Sequence, residues 1–492
     1  MTIRIPKNLN LSELISQNEH LLMQFGYKND SRLKDKIAYL CYAIHCSAAS
    51  HRDWLDNYLE GKELQRPSYP LNAELLRSII TDYKKVKDLS VDLGIIKVSA
   101  SYETGKTAKK FQFTDTYYGT GYKQYTLNSF VLIKNLKQSY CVKAELEDFN
   151  KSHFLRKYWK SGGLTIDIDA AMGWIKKTQQ KEIGGLKILD VETLETRIKN
   201  INEKYDLHRT SVLRIYNCKG DDYLFCRDSF GQRIYTHLTN LKKELRQFVT
   251  YQNETLVSID LKNSQPYLLL GLFNRSLWED EKIKKNIIQI KNRKYRKEDE
   301  KKIKIEEEID RICISIMLLE RVKNQASKGF EFENFVQLVT SGKIYEYLME
   351  KLGNKYEHFN DRQEVKKEFL RLMYYNNKQR WLPTYTTTRD IENLFPSITK
   401  AFDLIKEDGY KNLPLILQSL ERYLIIDVIC KRIHSIDSKI SLFCIHDSIV
   451  TTEKYQLLVE TIMTEELTKA IGHKPTMSLE KWQQNNPLAI AA

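Results

Sequence analysis

VSIDLKNSQPYLLL, residues 257–270, is an apolar, β-favouring run that delivers one carboxylate, Asp260, followed by a polar turn and a second apolar run. A similar arrangement recurs downstream in ISLFCIHDSIVT, residues 440–451, where Asp447 follows another strand-like run. A lone Asp after a strand is common, because Asp favours turns. Two such strands in one sheet, however, can bring their carboxylates together. Carboxylates a few ångströms apart repel each other and are stable mainly with a divalent cation between them.

Between the two Asp segments lies DRQEVKKEFLRLMYYNN, residues 361–377. Arg362, Lys366, Leu370 and Tyr374 recur at every fourth position, which on an α-helix makes one nearly continuous stripe. Two cations and an aromatic in a stripe suit a phosphate chain and a stacked base. A solvated surface face would have the same spacing, so the stripe takes its meaning from its place between the carboxylates.

Bulk properties bound the answer. The chain of 492 residues is long enough for two to four domains. An aromatic share of 11%, with 29 Tyr, excludes a disordered chain. A net charge of +14 favours a polyanionic partner, of which nucleic acid is the commonest. The eight Cys form no C-x-x-C pair, which argues against a zinc site and fits a reducing, cytoplasmic setting. No secretory signal and no bilayer-length apolar run is visible, so no membrane partner is expected.

In chain order, residues 1–30 read as a polar start with one short amphipathic segment. Helices are expected over 33–51, 71–80 and 83–93, the last carrying Lys84, Lys85 and Lys87 and ending at Gly94. Strands over 95–102 and 108–114 flank a Gly-bearing turn at 103–106. Helix, helix, strand and basic hairpin is the order of a winged-helix module, which would place a helix in a DNA groove; a small α+β domain with a solvated hairpin has the same order.

Residues 134–155, 170–181 and 191–205 read as helices. Interleaved Lys157, Tyr158, Trp159 and Lys160 suit either backbone tracking with base stacking or a core with solvated lysines. Asp167 and Asp169 lack a second acidic motif that would make them a nuclease site. In FCRDSFGQRIY, residues 225–235, Asp228 and Gly231 make a turn, and Arg233 and Tyr235 share one strand face.

The charged block 278–311 suggests a solvated helical excursion, 332–352 an amphipathic helix, and 381–396 a loop. An apolar helix over 413–433 carries Gln418; an amphipathic helix over 454–471 and a strand over 474–482 close the chain.

Residues from about 225 to 485 resemble the palm and fingers of the family A polymerase superfamily, which holds family A DNA polymerases and the single-subunit RNA polymerases of phages and mitochondria. Asp260 resembles the first catalytic Asp. The Arg362–Lys366–Leu370–Tyr374 stripe resembles the fingers helix that grips the incoming nucleotide. Ile445-His446-Asp447-Ser448 resembles the H-D motif with the second catalytic Asp. Gln418 is similar to the template- or primer-contacting Gln, and Asp228, Gly231, Arg233 and Tyr235 resemble the D-x-x-G-R-x-Y element of the RNA enzymes. Residues 474–482 resemble the closing palm strand.

The resemblance implies an α+β, right-hand polymerase with an antiparallel-sheet palm and helical fingers and thumb, preceded by a winged-helix-like domain. Boundaries follow at 1–125, 126–224 (thumb-like or linking) and 225–492, with palm 225–272 and 413–492 and fingers 273–412. It implies two Mg²⁺ (or Mn²⁺) on Asp260, Asp447 and the Leu261 carbonyl. Nucleotide would be held by Arg362, Lys366, Leu370, Tyr374 and Gln265, with Lys366 acting on the leaving group. Arg233, Tyr235, Gln418 and His446 would hold template and primer or nascent strand. The sequence departs from the pattern at Tyr375, where Gly is usual, and the sugar cues conflict. H-D-S is closer to the RNA enzymes. Gln265, however, has the bulk of the Glu that blocks a 2′-hydroxyl in DNA polymerases. Because bulk acts directly on the sugar, the expectation is a DNA polymerase of mobile-element or phage type. Alternatives are a single-subunit RNA polymerase, a non-catalytic DNA-binding replication or regulatory protein, and a two-metal nuclease, which would need more acidic ligands. Oligomeric state leaves no mark in the sequence.

Overall fold

The structure, a computed structural model, describes residues 2–50, 68–99, 109–142, 153–186, 191–218, 225–227, 233–279, 316–376, 386–407 and 409–483. The turn at 103–106, Asp228, Gly231, nearly all of the charged block and residues 381–385 lie outside that set. The fold mixes helices and antiparallel strands around two apolar cores.

The first core belongs to the N-terminal part. Strand β1 (Thr2–Pro6) alternates Ile3 and Ile5 inward and pairs antiparallel with β5 (Tyr122–Thr126). A sequence reading of a polar start overlooks β1, because its partner lies far along the chain. Three short strands form a second sheet in the order β2 (Tyr69–Pro70), β4 (Lys110–Phe113), β3 (Ile96–Val98). Helices Ser31–Ser50, Ala73–Ile79 and Tyr83–Asp92 pack with them. Asn72 caps the second by accepting from the Glu74 and Leu75 amides at 2.9 and 3.1 Å. The third buries Tyr83, Val86 and Leu89, and the chain turns at Gly94, whose φ of +68° a side chain would disfavour.

The second core surrounds a six-stranded sheet: β6 (Leu164–Ile166), β9 (Val249–Tyr251), β10 (Glu254–Leu261), β11 (Phe443–Ile445), β12 (Ser448–Thr452) and β13 (Met477–Lys481). β10 is central, pairing with β12 on one side and with β9 and β13 on the other. Period-two alternation puts Leu256, Ser258 and Asp260 on one face and Val257, Ile259 and Leu261 on the other. A separate ribbon joins β7 (Phe225–Arg227) to β8 (Ile234–Thr236).

Residues 126–224 feed both cores. β6 joins the large sheet through Leu164↔Tyr251, Thr165↔Thr250 and Ile166↔Val249. Helix Val191–Tyr216 gives Leu207 to the first core and Ile201, Tyr205, Val212 and Ile215 to the second. Its polar face is buried against the N-terminal part: Tyr118 donates to Asn200 at 2.7 Å, Arg4 to Thr210 at 2.7 Å, and Tyr122 to Glu203. Burial pushes the Glu203 carboxyl up to about 7. Asp167 is a helix cap, accepting from the Ala170 amide at 3.0 Å ahead of helix Ile168–Gly184.

Other expectations are corrected. The helix expected over 134–155 is observed as Phe130–Val142 and a separate His153–Lys160. The one expected over 332–352 is two, Glu331–Thr340 and Ile344–Leu352, because Gly342 turns the chain with φ +75°. Part of the expected loop at 381–396 is helix Thr386–Leu394. Threonines lower its intrinsic propensity, but buried Thr388 and Ile391 and the bonds from Thr387 and Thr388 to Glu368 hold it.

The apolar helix expected over 413–433 begins as Asn412–Arg422, winds as a π-helix over Tyr423–Cys430, and returns to α at Lys431–Ile436. The wider turn brings Arg422 and Asp427, five residues apart, into a buried ion pair. No helix among the described residues is long and apolar enough to cross a membrane.

Candidate active site

A cleft of about 600 Å³ opens at the C-terminal end of β10. Its lining includes Arg233, Asp260, Leu261, Gln265, Arg362, Lys366, Leu370, Tyr374, Gln418, His446 and Asp447. Of the metal-, nucleotide- and strand-binding residues that the resemblance implies, all line it except Tyr235. Tyr235 stands behind, its ring edge-on to His446 with centroids 6.0 Å apart.

The sheet explains the meeting of the two acids. Asp260 pairs in register with Ser448 on β12 and with Ser478 on β13. Because Ile445 pairs with Ser448, His446 and Asp447 form a two-residue hairpin loop, opened by His446 at φ +55°. Asp447 therefore projects beside the end of the strand that carries Asp260. Burial and the nearby Asp447 charge push the Asp260 carboxyl up to about 7, against Lys366 and Lys243. Among the described residues neither carboxylate has a hydrogen-bond or ion-pair partner. Two mutually repelling, unpartnered carboxylates in a cleft that Leu261 also lines are hard-oxygen donors of the kind that fit Mg²⁺ or Mn²⁺. Among the described residues no group of three or more His, Cys, Asp or Glu gathers as ligands, so the fit rests on this pair.

The opposite wall is helix Arg362–Tyr374, N-capped by Asp361, which accepts from the Gln363 amide at 2.8 Å. Val365, Phe369, Leu372 and Met373 bury its other face. Its C-terminus is held by the buried Lys406 ammonium, which donates to the Leu372 carbonyl at 2.9 Å. Tyr375, where the resemblance leads one to expect Gly, has an ordinary φ of −71° and donates to Glu392 at 2.6 Å, so no glycine is required.

Along the stripe, Arg362 donates to Glu346 at 2.7 Å and lies 5.1 Å from the Tyr345 ring centroid. Lys366 has no hydrogen-bond or ion-pair partner among the described residues, and its charge acts on Asp260. The Tyr374 hydroxyl, pushed up by burial and so kept a donor, gives its proton to Gln265 Oε1 at 2.7 Å.

Sequence reasoning missed Glu421. This buried acid accepts from Arg233 Nε at 3.0 Å and Nη2 at 2.8 Å, and from Gln265 Nε2 at 2.6 Å. The signal was there: Gln418 and Glu421, three apart on one helix, share a face. Burial pushes Glu421 up to about 7, with Arg233 opposing and Asp447 adding. Asn263 also lines the cleft, buried, with neither side-chain polar atom partnered.

No family model and no curated protein sequence matches the chain. Among solved structures, the POL domain of Pol1 from M. smegmatis, in complex with DNA primer-template and dNTP, aligns at a TM-score of 0.39 and 11% identity, covering 72% of this chain and 75% of that one. At that level the alignment bears on neither chemistry nor partners.

Proposed function

We propose that the cleft is the reaction centre of a template-directed nucleotidyltransferase, a right-hand, family A-like polymerase that extends a DNA strand. In this reading residues 225–272 and 413–492 are the palm, 273–412 the fingers, 126–224 a thumb-like or linking region, and 1–125 a winged-helix-like module. The observation that carries it is the convergence of Asp260, on β10, and Asp447, in the hairpin loop between β11 and β12 of the same sheet, opposite the cationic stripe of helix Arg362–Tyr374.

Asp260, Asp447 and the Leu261 carbonyl would hold two Mg²⁺ ions, which when bound supply Lewis acidity to a 3′-hydroxyl and a leaving pyrophosphate. Lys366 donates a proton or charge to the leaving group. Arg362 exchanges Glu346 for nucleotide phosphates, which offer its fork a second pair of acceptors. Tyr374 stacks on base or sugar, Leu370 packs beside it, and Gln265 crowds a 2′-hydroxyl. His446, backed by Tyr235, contacts the primer end. Gln418 and the edge of Arg233 turned away from Glu421 face template or primer.

The test is primer extension on DNA and RNA templates with all four dNTPs or all four NTPs. The reading expects Mg²⁺-dependent dNTP incorporation by the wild type and none by Asp260→Ala or Asp447→Ala, both folded and still binding primer-template. Full activity in either variant refutes the assignment. Preferred use of NTPs moves the reading to an RNA polymerase, and nucleotide release without extension moves it to a nuclease.

A further inference from the structure

Gln265 is tied at both ends. Its Nε2 donates to Glu421 at 2.6 Å and its Oε1 accepts from the Tyr374 hydroxyl at 2.7 Å. The reverse amide orientation would set an oxygen against a carboxylate and leave the tyrosine hydroxyl without its acceptor, so only one orientation serves both partners. Glu421 is in turn fixed by Arg233, whose Nε and Nη2 take both of its oxygens. The Glu421 side chain is only 2% exposed, and this forked pairing supplies the opposite charge that a buried carboxylate needs. The four residues make one chain across the cleft: Tyr374 on the stripe helix, Gln265 after β10, Glu421 on helix Asn412–Arg422, and Arg233 ahead of β8.

We propose that Glu421 is a positioning residue for sugar selection: by anchoring the Gln265 amide it turns that side chain into a rigid wall of the nucleotide pocket. The inference rests on the reading of the cleft as a nucleotide site and goes beyond it: Glu421 lines the cleft, but both its oxygens are taken by Arg233 and Gln265, so it acts through Gln265. A free Gln265 could swing aside, or turn its amide to hydrogen-bond a 2′-hydroxyl. Held at both ends, it can do neither without breaking a part-buried bond, and an added hydroxyl meets a wall that does not yield.

The experiment is a double-mutant cycle read as the ratio of kcat/KM for a ribonucleotide to that for its deoxy counterpart. Glu421→Gln keeps the volume and removes the charge. Glu421→Asp keeps the charge for Arg233 but shortens the reach to Gln265, so it remains informative if Glu421→Gln fails to fold. Each is expected to raise the ratio about tenfold. In a Gln265→Ala background, where the ratio is already raised, either Glu421 change should add nothing, because it acts through the missing side chain. A Glu421 variant that slows both sugars equally overturns the proposal and leaves the polymerase reading standing. So does a wild type that takes both sugars alike, or a Glu421 effect that persists without Gln265. A wild type that extends with neither sugar removes the polymerase reading and this proposal with it.

Discussion

Asp260 faces Ser448 across the central sheet, one residue from Asp447, so hairpin register alone sets the spacing of the two acids. A slip of one residue would turn one carboxylate to the opposite face and dissolve the site. The pair is costly without a cation, because like charges sit in a partly buried place. Asp260→Asn should therefore stabilise the metal-free fold by about 1–2 kcal/mol while abolishing nucleotide incorporation. Thermal melts in chelator check it; an unchanged or lower midpoint would mean the acids do not repel.

Lys366 faces the acids without a partner among the described residues. Lys366→Ala should lower kcat about 100-fold, with primer-template affinity nearly unchanged. Single-turnover incorporation separates this from a binding defect. A loss confined to primer-template affinity would assign Lys366 to nucleic acid instead.

Lys406 closes the C-terminal end of the stripe helix, with its ammonium 4.7 Å from the Tyr375 ring centroid. Lys406→Met should cost about 1–2 kcal/mol and raise KM for nucleotide, because Tyr374 sits on that last turn. Urea unfolding and steady-state kinetics read the two effects. A destabilised variant with unaltered KM would uncouple the anchor from the cleft.

Glu203 lies in the buried seam with Tyr122, Asp206 and Arg4 as charged or titratable neighbours. Its carboxyl rises from 4.5 to about 7, chiefly through burial, so the folded state holds this proton more tightly than the unfolded chain. Its contribution is complete below 4.5 and is lost as pH rises through about 7, at most about 3 kcal/mol. Glu203→Gln should flatten the decline in stability between about pH 4.5 and 7, a window set by that shift. Parallel stability curves for variant and wild type would contradict it.

Much of this site could be read from the sequence because its parts are local. Two strand-like runs that each lead to an Asp, and a stripe of four residues at every fourth position, each announce themselves within about a dozen positions; that His446 and Asp447 form the loop of a hairpin came only with the strand pairing. What escaped depends on distant partners. β1 and β6 are short strands whose mates lie far along the chain, and helix Thr386–Leu394 gains from packing what its threonines lack in propensity. Glu421 escaped because its meaning lies in Arg233 and Gln265, which only the folded chain brings to it. Gly342 stood in plain view inside SGK, and a break there was the better reading of a glycine between two apolar runs.

The most direct test of the central claim is a crystal of the protein with primer-template, Mn²⁺ and a non-hydrolysable dNTP, measured for anomalous scattering. The account predicts manganese peaks between the Asp260 and Asp447 carboxylates, with the triphosphate reaching toward Lys366. Manganese absent from that pair, or bound elsewhere while the nucleotide occupies the cleft, would contradict it.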